Sequence, residues 1–439
     1  MNNEFFPESL ANCPCGVKHV FPLKKVVSCA GAIDRLPEIL NLYGLKKPFI
    51  VADENTFKAA GEKVVSLLKK NGVEYSKFLY GTEPLEPDEK SVGALAIKFD
   101  ADCDVIVGVG SGVINDVCKI IAARTGKFYI VVATAPSMDG YASATSSMAV
   151  AGLKTTVNSK CPDVIIGDVE VLKNAPLKML KAGLGDMLAK YVSILEWRLS
   201  KEINGEYYCE NIAEIIRSAR DKCVNNAEGL LRRDENAVKA VFDGLIIGGI
   251  AMAYAGVSRP ASGGEHYFSH ILDMRGLAFG TKVDLHGIQV AVGTLFMAKQ
   301  YDKLKKIVPS DEKGYRETHA FSYATWENNL RKFIGGAAES MILLETKEGK
   351  YNADRASVRR KAIIEKWDKL VKIMDEELPS ATRIAEIMDL ASIPKTLEDA
   401  GLSCDIKKAF AATRDIRDKY VLSGLLWDIG ELNDFCAAL

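Results

Sequence analysis

Between Lys47 and Ile166, short apolar runs rich in β-branched residues alternate with stretches whose apolar positions recur at helical spacing. The order is PFIVAD, Thr56 to Lys70, VEYSKFLY, Asp88 to Phe99, DVIVGVG, Val113 to Arg124 and FYIVVAT. Strands apolar at consecutive positions need cover on both faces, so the alternation predicts parallel strands joined by helical crossovers, with ligands bound beyond the strands' carboxyl ends. After Asp168 the strand signal fades, and helical spacing runs through Leu184 to Leu199, Glu206 to Arg220, Ala237 to Gly256 and Leu285 to Lys299. The expected architecture is an α/β Rossmann-like domain over residues 1–170 followed by an all-α domain over 171–439. The longest apolar run, Leu245 to Val257, is shorter than the roughly 18 residues a membrane span needs and reads as a buried helix. The polar stretch Pro309 to Glu317 reads as a break in the helical pattern, and Glu345 to Arg360 as a solvated connection or exposed helix face. No internal repeat supports a solenoid.

Composition narrows the partners. Lys and Arg number 57 against 58 for Asp and Glu, so no global field favours nucleic acid or an anionic membrane, and any phosphate must be bound locally. Small molecules are the expected partners. The chain is 48% hydrophobic and 26% charged, which excludes a largely disordered protein. Ten cysteines are scattered along it, and the residues after Met1 lack the charged and apolar regions of a secretory leader, so a reducing cytoplasm is expected. Cys13 and Cys15, with His19 following, invite a zinc reading. One residue between the thiols and the lack of a second cysteine pair argue instead for a structural segment.

Three sheet-edge segments are candidates for a nucleotide. The strand DVIVGVG runs into Ser111, Gly112, Val113, Ile114, Asn115 and Asp116, a glycine turn opening a helix, where backbone N–H groups and the positive helix end favour an anion. The spacing is not G-x-G-x-x-G, and packing alone also explains such glycines. Asp53 ends the first strong strand, placed either to accept from a ribose hydroxyl or to cap the helix that follows. The loop Thr134, Ala135, Pro136, Ser137, Met138, Asp139, Gly140, Tyr141, Ala142, Ser143 is dense in hydroxyls.

Histidine is scarce, with five in all, yet His266, His270 and His286 fall close together. His266 and His270 are four apart on one helix face, and His286 opens the next helical stretch. A divalent ion takes imidazole and carboxylate readily, and Asp186, read as lying near a helix start after Gly-Leu-Gly, is the best carboxylate candidate. Each has a bland alternative: aspartates near helix starts cap, and core histidines are satisfied by hydrogen bonds. Glu265 is read as facing away from the histidines. Arg259, just ahead of them, is read either as a cation for a substrate phosphate or as an ordinary surface or helix-capping arginine.

The motifs GVGSGVINDVCK, TAPSMDGYAS, GLGDMLAK, SRPASGGEHYFSH and DLHGIQVAVG, with CPCGVKHVFP before them and IRDKYVLSGLLWDIGEL after, resemble in content and order the sn-glycerol-1-phosphate dehydrogenases. That family lies within the superfamily of iron-containing alcohol dehydrogenases, glycerol dehydrogenases and dehydroquinate synthases, whose fold pairs a Rossmann-like domain with a helical one. The resemblance implies that Asp186, His266 and His286 bind a zinc or nickel ion, with His270, Asp186 and Asp139 at the substrate. It implies NAD or NADP contacts from Asp53, Gly112, Val113, Ile114, Asn115, Asp116, Thr134, Ala135, Pro136, Ser137 and Ser143. It also implies reduction of dihydroxyacetone phosphate to sn-glycerol 1-phosphate by a homodimer, with a metal-dependent polyol dehydrogenase acting on an unphosphorylated substrate as the alternative. The stretch from roughly Pro309 to Ala381 carries no recognised motif.

Overall fold

The computed structural model describes residues 5, 7–81 and 85–439. Contacts divide them into two compact units. One comprises the chain up to Ala151, Thr155–Met187 and Glu214–Val257, and the other Gly152–Lys154, Leu188–Ala213 and Ser258–Leu439.

The first unit is built on a six-stranded parallel sheet. Its strands are β1 (Lys25–Cys29), β2 (Pro48–Asp53), β3 (Ser76–Tyr80), β4 (Val105–Gly110), β5 (Phe128–Ala133) and β8 (Val164–Asp168), in the order β1-β8-β5-β4-β2-β3. Strands β6 (Thr145–Val150) and β7 (Leu153–Asn158) form a separate pair. Their turn has positive φ at both Ala151 and Gly152, the signature of a tight hairpin matched to strand twist.

The apolar runs read from the sequence are the strands. Every residue of β4 and β8 is buried, as is all of β2 except Asp53, because helices cover both faces of the sheet. On one face Val105, Val107, Ile130, Val132 and Ile166 pack against Leu36, Ile39, Val64 and Leu68. Elsewhere the apolar helix Glu235–Ala255 lies so close to the sheet that a Cβ on Gly167 would fall 1.9 Å from the Phe242 ring. Among the described residues this helix alone is long and apolar enough to cross a membrane, and 78% of its most apolar window is buried inside the fold. That burial marks it as a core helix, as its uninterrupted apolar run leads one to expect.

The winding direction reverses between β2 and β4: β3 lies on one side of β2, whereas β4, β5 and β8 run out from the other. Register places Val51 beside Gly108 and Gly110 beside Ala133, so the segments after β2, β4 and β5 leave from one edge. Such a reversal is where a doubly wound sheet opens a ligand crevice.

In the second unit, the helices Gly264–Phe279 and His286–Leu304 are in intimate contact. A Cβ on Gly293 would lie 2.7 Å from the Glu265 carbonyl oxygen, so glycine is what lets the two backbones approach.

Two expectations are corrected here. The stretch expected to be irregular contains the helix Asp311–His319, whose N-cap Ser310 side chain accepts from the Lys313 N–H. The stretch expected as a solvated connection or an exposed helix face does lie largely in the helices Ala338–Glu348 and Ala353–Glu365, but Arg360 and Glu345 are buried. Charge misled the reading because these charges are paired: Arg359 grips Asp428 through two bonds of 2.7 Å, and Glu345 accepts the Lys350 and Tyr351 N–H groups at 2.9 Å.

Candidate active site

The sheet edge presents the expected segments side by side. Asp53 makes a capping box: its Oδ1 accepts the Thr56 N–H at 2.8 Å, and the Asp53 N–H donates to Thr56 Oγ1 at 3.0 Å. The cap reading is therefore realised. At the glycine turn, a Cβ on Gly108 would meet the Tyr129 hydroxyl at 2.9 Å and one on Gly110 would meet Ile114 at 2.6 Å, whereas Gly112 has nothing nearer than Met138 at 3.6 Å. The first two glycines serve packing and the third leaves space. Ser111 puts no side-chain cap on the helix Gly112–Thr125, so its side chain does not occupy the anion-attracting helix start.

Behind that turn sits a residue that sequence reading missed. Lys119 is fully buried, and its ammonium donates to the Gly140 carbonyl at 3.1 Å, to Ser143 Oγ at 3.1 Å and to the Thr145 carbonyl at 2.5 Å. It also pairs with Asp116 at 2.9 Å. Asn115 Nδ2 donates to the Gly140 carbonyl at 3.2 Å and Asn115 Oδ1 accepts from Tyr129 at 3.0 Å. The side chains of Asn115, Asp116 and Ser143 thus hold the turn against the hydroxyl-rich loop. Tyr141 closes that loop by donating to the Ala135 carbonyl at 2.7 Å.

Asp186 lies near the end of the helix Leu177–Leu188, not at a helix start. The glycine ahead of it is a contact point: a Cβ on Gly183 would sit 1.9 Å from the Pro136 carbonyl oxygen. Asp186 is fully buried and accepts the Asp139 N–H at 2.9 Å, which ties the carboxylate expected at a metal to the residue expected at substrate.

The three histidines converge. Ring centroids are 5.1 Å apart for His266 and His286, 5.8 Å for His270 and His286, and 6.4 Å for His266 and His270. Glu265 proves to be the partner of His266: its Oε1 lies 2.7 Å from His266 Nδ1 and accepts the Gly263 N–H at 2.7 Å. A carboxylate on one ring nitrogen fixes the tautomer and turns the other nitrogen outward. One residue along a helix is far on the helical wheel, but at the first turn the side chain can fold back toward the helix start, which the expectation for Glu265 overlooked. His286 Nδ1 lies 3.3 Å from Ser269 Oγ. Ser269 in turn accepts from Gln289 Nε2 at 3.1 Å, and that amide also donates to Asp273 at 2.8 Å. His270 Nδ1 is buried without a hydrogen-bond partner. Desolvation, then the charges of His286, Arg417, His266 and Lys154, hold its pKa well below the ordinary imidazole value.

A buried carboxylate, Glu196, completes the surroundings. It accepts the Gly264 N–H at 2.7 Å and the Leu422 N–H at 2.9 Å. Burial and the neighbouring Glu265 push its pKa up to about 7. A Cβ on Gly263 would lie 2.5 Å from Glu196 and 2.8 Å from Glu265, so the glycine pair makes room for two carboxylates.

Arg259 is not a surface arginine. It is buried, bonded to both Glu206 oxygens at 2.7 and 2.6 Å, to the Tyr420 carbonyl at 2.9 Å and to Ser200 Oγ at 3.3 Å, so its charge is committed to Glu206. His319 lies apart from the cluster, exposed and stacked on Tyr315 at 3.8 Å.

Residues 27–176, which span the parallel sheet and its reversal, match the sequence profile described as "Iron-containing alcohol dehydrogenase". The glycerol-1-phosphate dehydrogenase [NAD(P)+] of Halalkalibacterium halodurans is 34% identical over 66% of this chain and 74% of its own length. That of Hyperthermus butylicus is 35% identical over 62% of this chain and 77% of its own. The chain belongs to the glycerol-1-phosphate dehydrogenase family. Its fold is shared with the glycerol dehydrogenase from Schizosaccharomyces pombe, at 18% identity and a TM-score of 0.60, covering 96% of this chain and 91% of that one.

Proposed function

We propose that this chain reduces dihydroxyacetone phosphate to sn-glycerol 1-phosphate with NADH or NADPH, using a divalent ion, zinc or nickel, held by Asp186, His266 and His286 as the family resemblance implies. The observation that carries the reading is the convergence of His266, His270 and His286 in a chain of this family. The donor set suits such an ion: two imidazoles, each with a ring nitrogen engaged by the protein, and a fully buried carboxylate. When bound, the metal supplies Lewis-acid polarisation of the ketone and the nicotinamide supplies hydride.

The chain's own residues do the rest. In this reading residues 1–170 form the cofactor-binding domain and 171–439 the metal- and substrate-binding domain. The N–H groups of Gly112 to Asp116 receive the pyrophosphate, Asp53 the ribose, and Thr134, Ala135, Pro136, Ser137 and Ser143 the nicotinamide end. His270 relays a proton from solvent to the oxygen of the reduced carbonyl, which balances the hydride that the nicotinamide gives up. Asp139, fixed through its N–H on Asp186, orients the substrate's hydroxyl end. With Arg259 committed to Glu206 and Lys154 paired with Asp273 at 3.7 Å, we assign the substrate phosphate to Arg417, whose charge bears on His270.

A homodimer follows from the resemblance. A cytosolic setting is supported by ten cysteines of which none forms a disulfide. The test is oxidation of NADH and NADPH with dihydroxyacetone phosphate and with free dihydroxyacetone, before and after chelation and zinc or nickel restoration, with chiral analysis of the product. Metal-dependent formation of the sn-1 enantiomer is the expected result. Turnover confined to the unphosphorylated ketone would overturn the assignment.

A further inference from the structure

The segment Cys13-Pro14-Cys15-Gly16-Val17-Lys18-His19 has no part in the reaction described above, yet it gathers metal-ligating atoms. The sulfurs of Cys13 and Cys15 and a ring nitrogen of His19 lie within 4.8 Å of one another, and Cys15 Sγ is 3.2 Å from His19 Nε2. The two thiols are not joined as a disulfide. Gly16, at φ +82°, supplies the left-handed turn that folds the chain back from the second thiol toward the histidine, a conformation that costs glycine little.

The histidine is fixed from behind. His19 is buried, and its Nδ1 stands 2.9 Å from the carbonyl of Tyr254 on the helix Glu235–Ala255. A carbonyl can only accept, so Nδ1 carries the proton and Nε2 is the basic nitrogen, and Nε2 is the atom turned toward Cys15. An imidazole with one N–H on a backbone carbonyl and its lone pair turned to thiols is the arrangement of a metal-ligating histidine. A thiol donating to the imidazole explains the Cys15 contact alone. Cys13 brings a second sulfur within 4.8 Å of the same atoms.

We propose that Cys13, Cys15 and His19 bind a zinc ion at a structural site separate from the reaction centre. Two thiolates and one neutral imidazole are donors zinc favours. On binding, each thiol releases its proton to solvent, and no electron transfer is involved. The ion fastens this segment to the helix Glu235–Ala255 through the His19–Tyr254 bond, so metal binding contributes to the stability of the sheet-containing unit.

The test is metal analysis of the purified full-length protein, with metal content and not activity as the readout. Zinc-loaded wild type should hold two equivalents per chain. The Cys13→Ser, Cys15→Ser pair should hold one, and His266→Ala should retain the equivalent that the cysteine pair loses. In cobalt-exchanged protein a sulfur-to-cobalt charge-transfer band should appear in wild type and His266→Ala and vanish in the cysteine pair. If the cysteine pair does not fold, mercurial titration of native holoenzyme decides instead, with one zinc released as these thiols react. Unchanged metal content in the cysteine pair, no charge-transfer band in wild type, or no zinc released on mercurial titration would overturn the proposal.

Discussion

Replacing Glu265 with Gln probes whether a carboxylate behind a histidine sets metal affinity. Glu265 Oε1 is shared between His266 Nδ1 and the Gly263 N–H, both at 2.7 Å, while Oε2 is buried without a partner. Glutamine keeps the volume and can still offer one oxygen to either donor, so the glycine turn should survive. What disappears is the negative charge that raises the basicity of His266. Loss of such a supporting carboxylate typically weakens metal binding by about 10- to 100-fold, which corresponds to about 1.4–2.7 kcal/mol. Glu196 bears on the size of the effect. Its proton affinity is raised partly by Glu265, so neutralising Glu265 relieves a carboxylate repulsion and should return some stability to the metal-free protein. The assay is competition for the ion against a chelator of known affinity, alongside thermal melts with and without metal. The expected outcome is a weaker metal Kd and a smaller gain in melting temperature on metal addition, with the metal-free melting temperature equal to or above that of wild type. An unchanged Kd in both Glu265→Gln and Glu265→Ala would refute the orienting role.

Arg417→Ala should raise KM for dihydroxyacetone phosphate while leaving the unphosphorylated ketone nearly unaffected. A lost charge-assisted bond is worth roughly 1.5–3 kcal/mol, or about 10- to 100-fold in kcat/KM, and equal losses on both substrates would move the phosphate elsewhere. Gly183→Ala drives a methyl group into the Pro136 carbonyl and should cost about 1–3 kcal/mol, read in denaturant melts, together with weaker cofactor binding; a neutral result would mean that the helix and loop move apart freely. Lys419 is buried and donates to Ser262, and desolvation lowers its pKa from 10.5 to about 7. The unfolded chain therefore holds the proton across that window while the native chain does not, so stability contributed here rises with pH between about 7 and 10.5 and is lost below it. Lys419→Met should flatten this dependence by a few kcal/mol at most, in the order of 1.4 per pKa unit, and parallel stability–pH curves for the two proteins would count against the burial argument.

The sheet was legible because its strands are apolar on both faces, and the run PFIVAD needed no tertiary knowledge to be read. The histidine trio was legible because five histidines in the whole chain made three close together conspicuous. Less was visible where burial is reached through pairing. Lys119, Arg360 and Glu345 are polar letters in the sequence and core residues in the fold, and only the partners that long-range contact delivers make that possible. Glycine punctuation misleads at Gly-Leu-Gly, where Gly183 marks an approach between helix and loop and not a helix start. Glu265 was missed because a side chain at a helix's first turn is not bound to the face its position suggests.

For anyone wishing to change the cofactor preference, the Lys119 knot divides the sheet edge into two kinds of position. Asp116 and Ser143 both meet Lys119, and loss of Asp116 alone leaves the buried ammonium without its counter-charge, so tolerated changes at Asp116 and Lys119 should come in compensating pairs. Asp53, half-exposed and bound only within its own turn, carries no such debt, and libraries aimed at the ribose pocket would best begin there and leave the knot untouched.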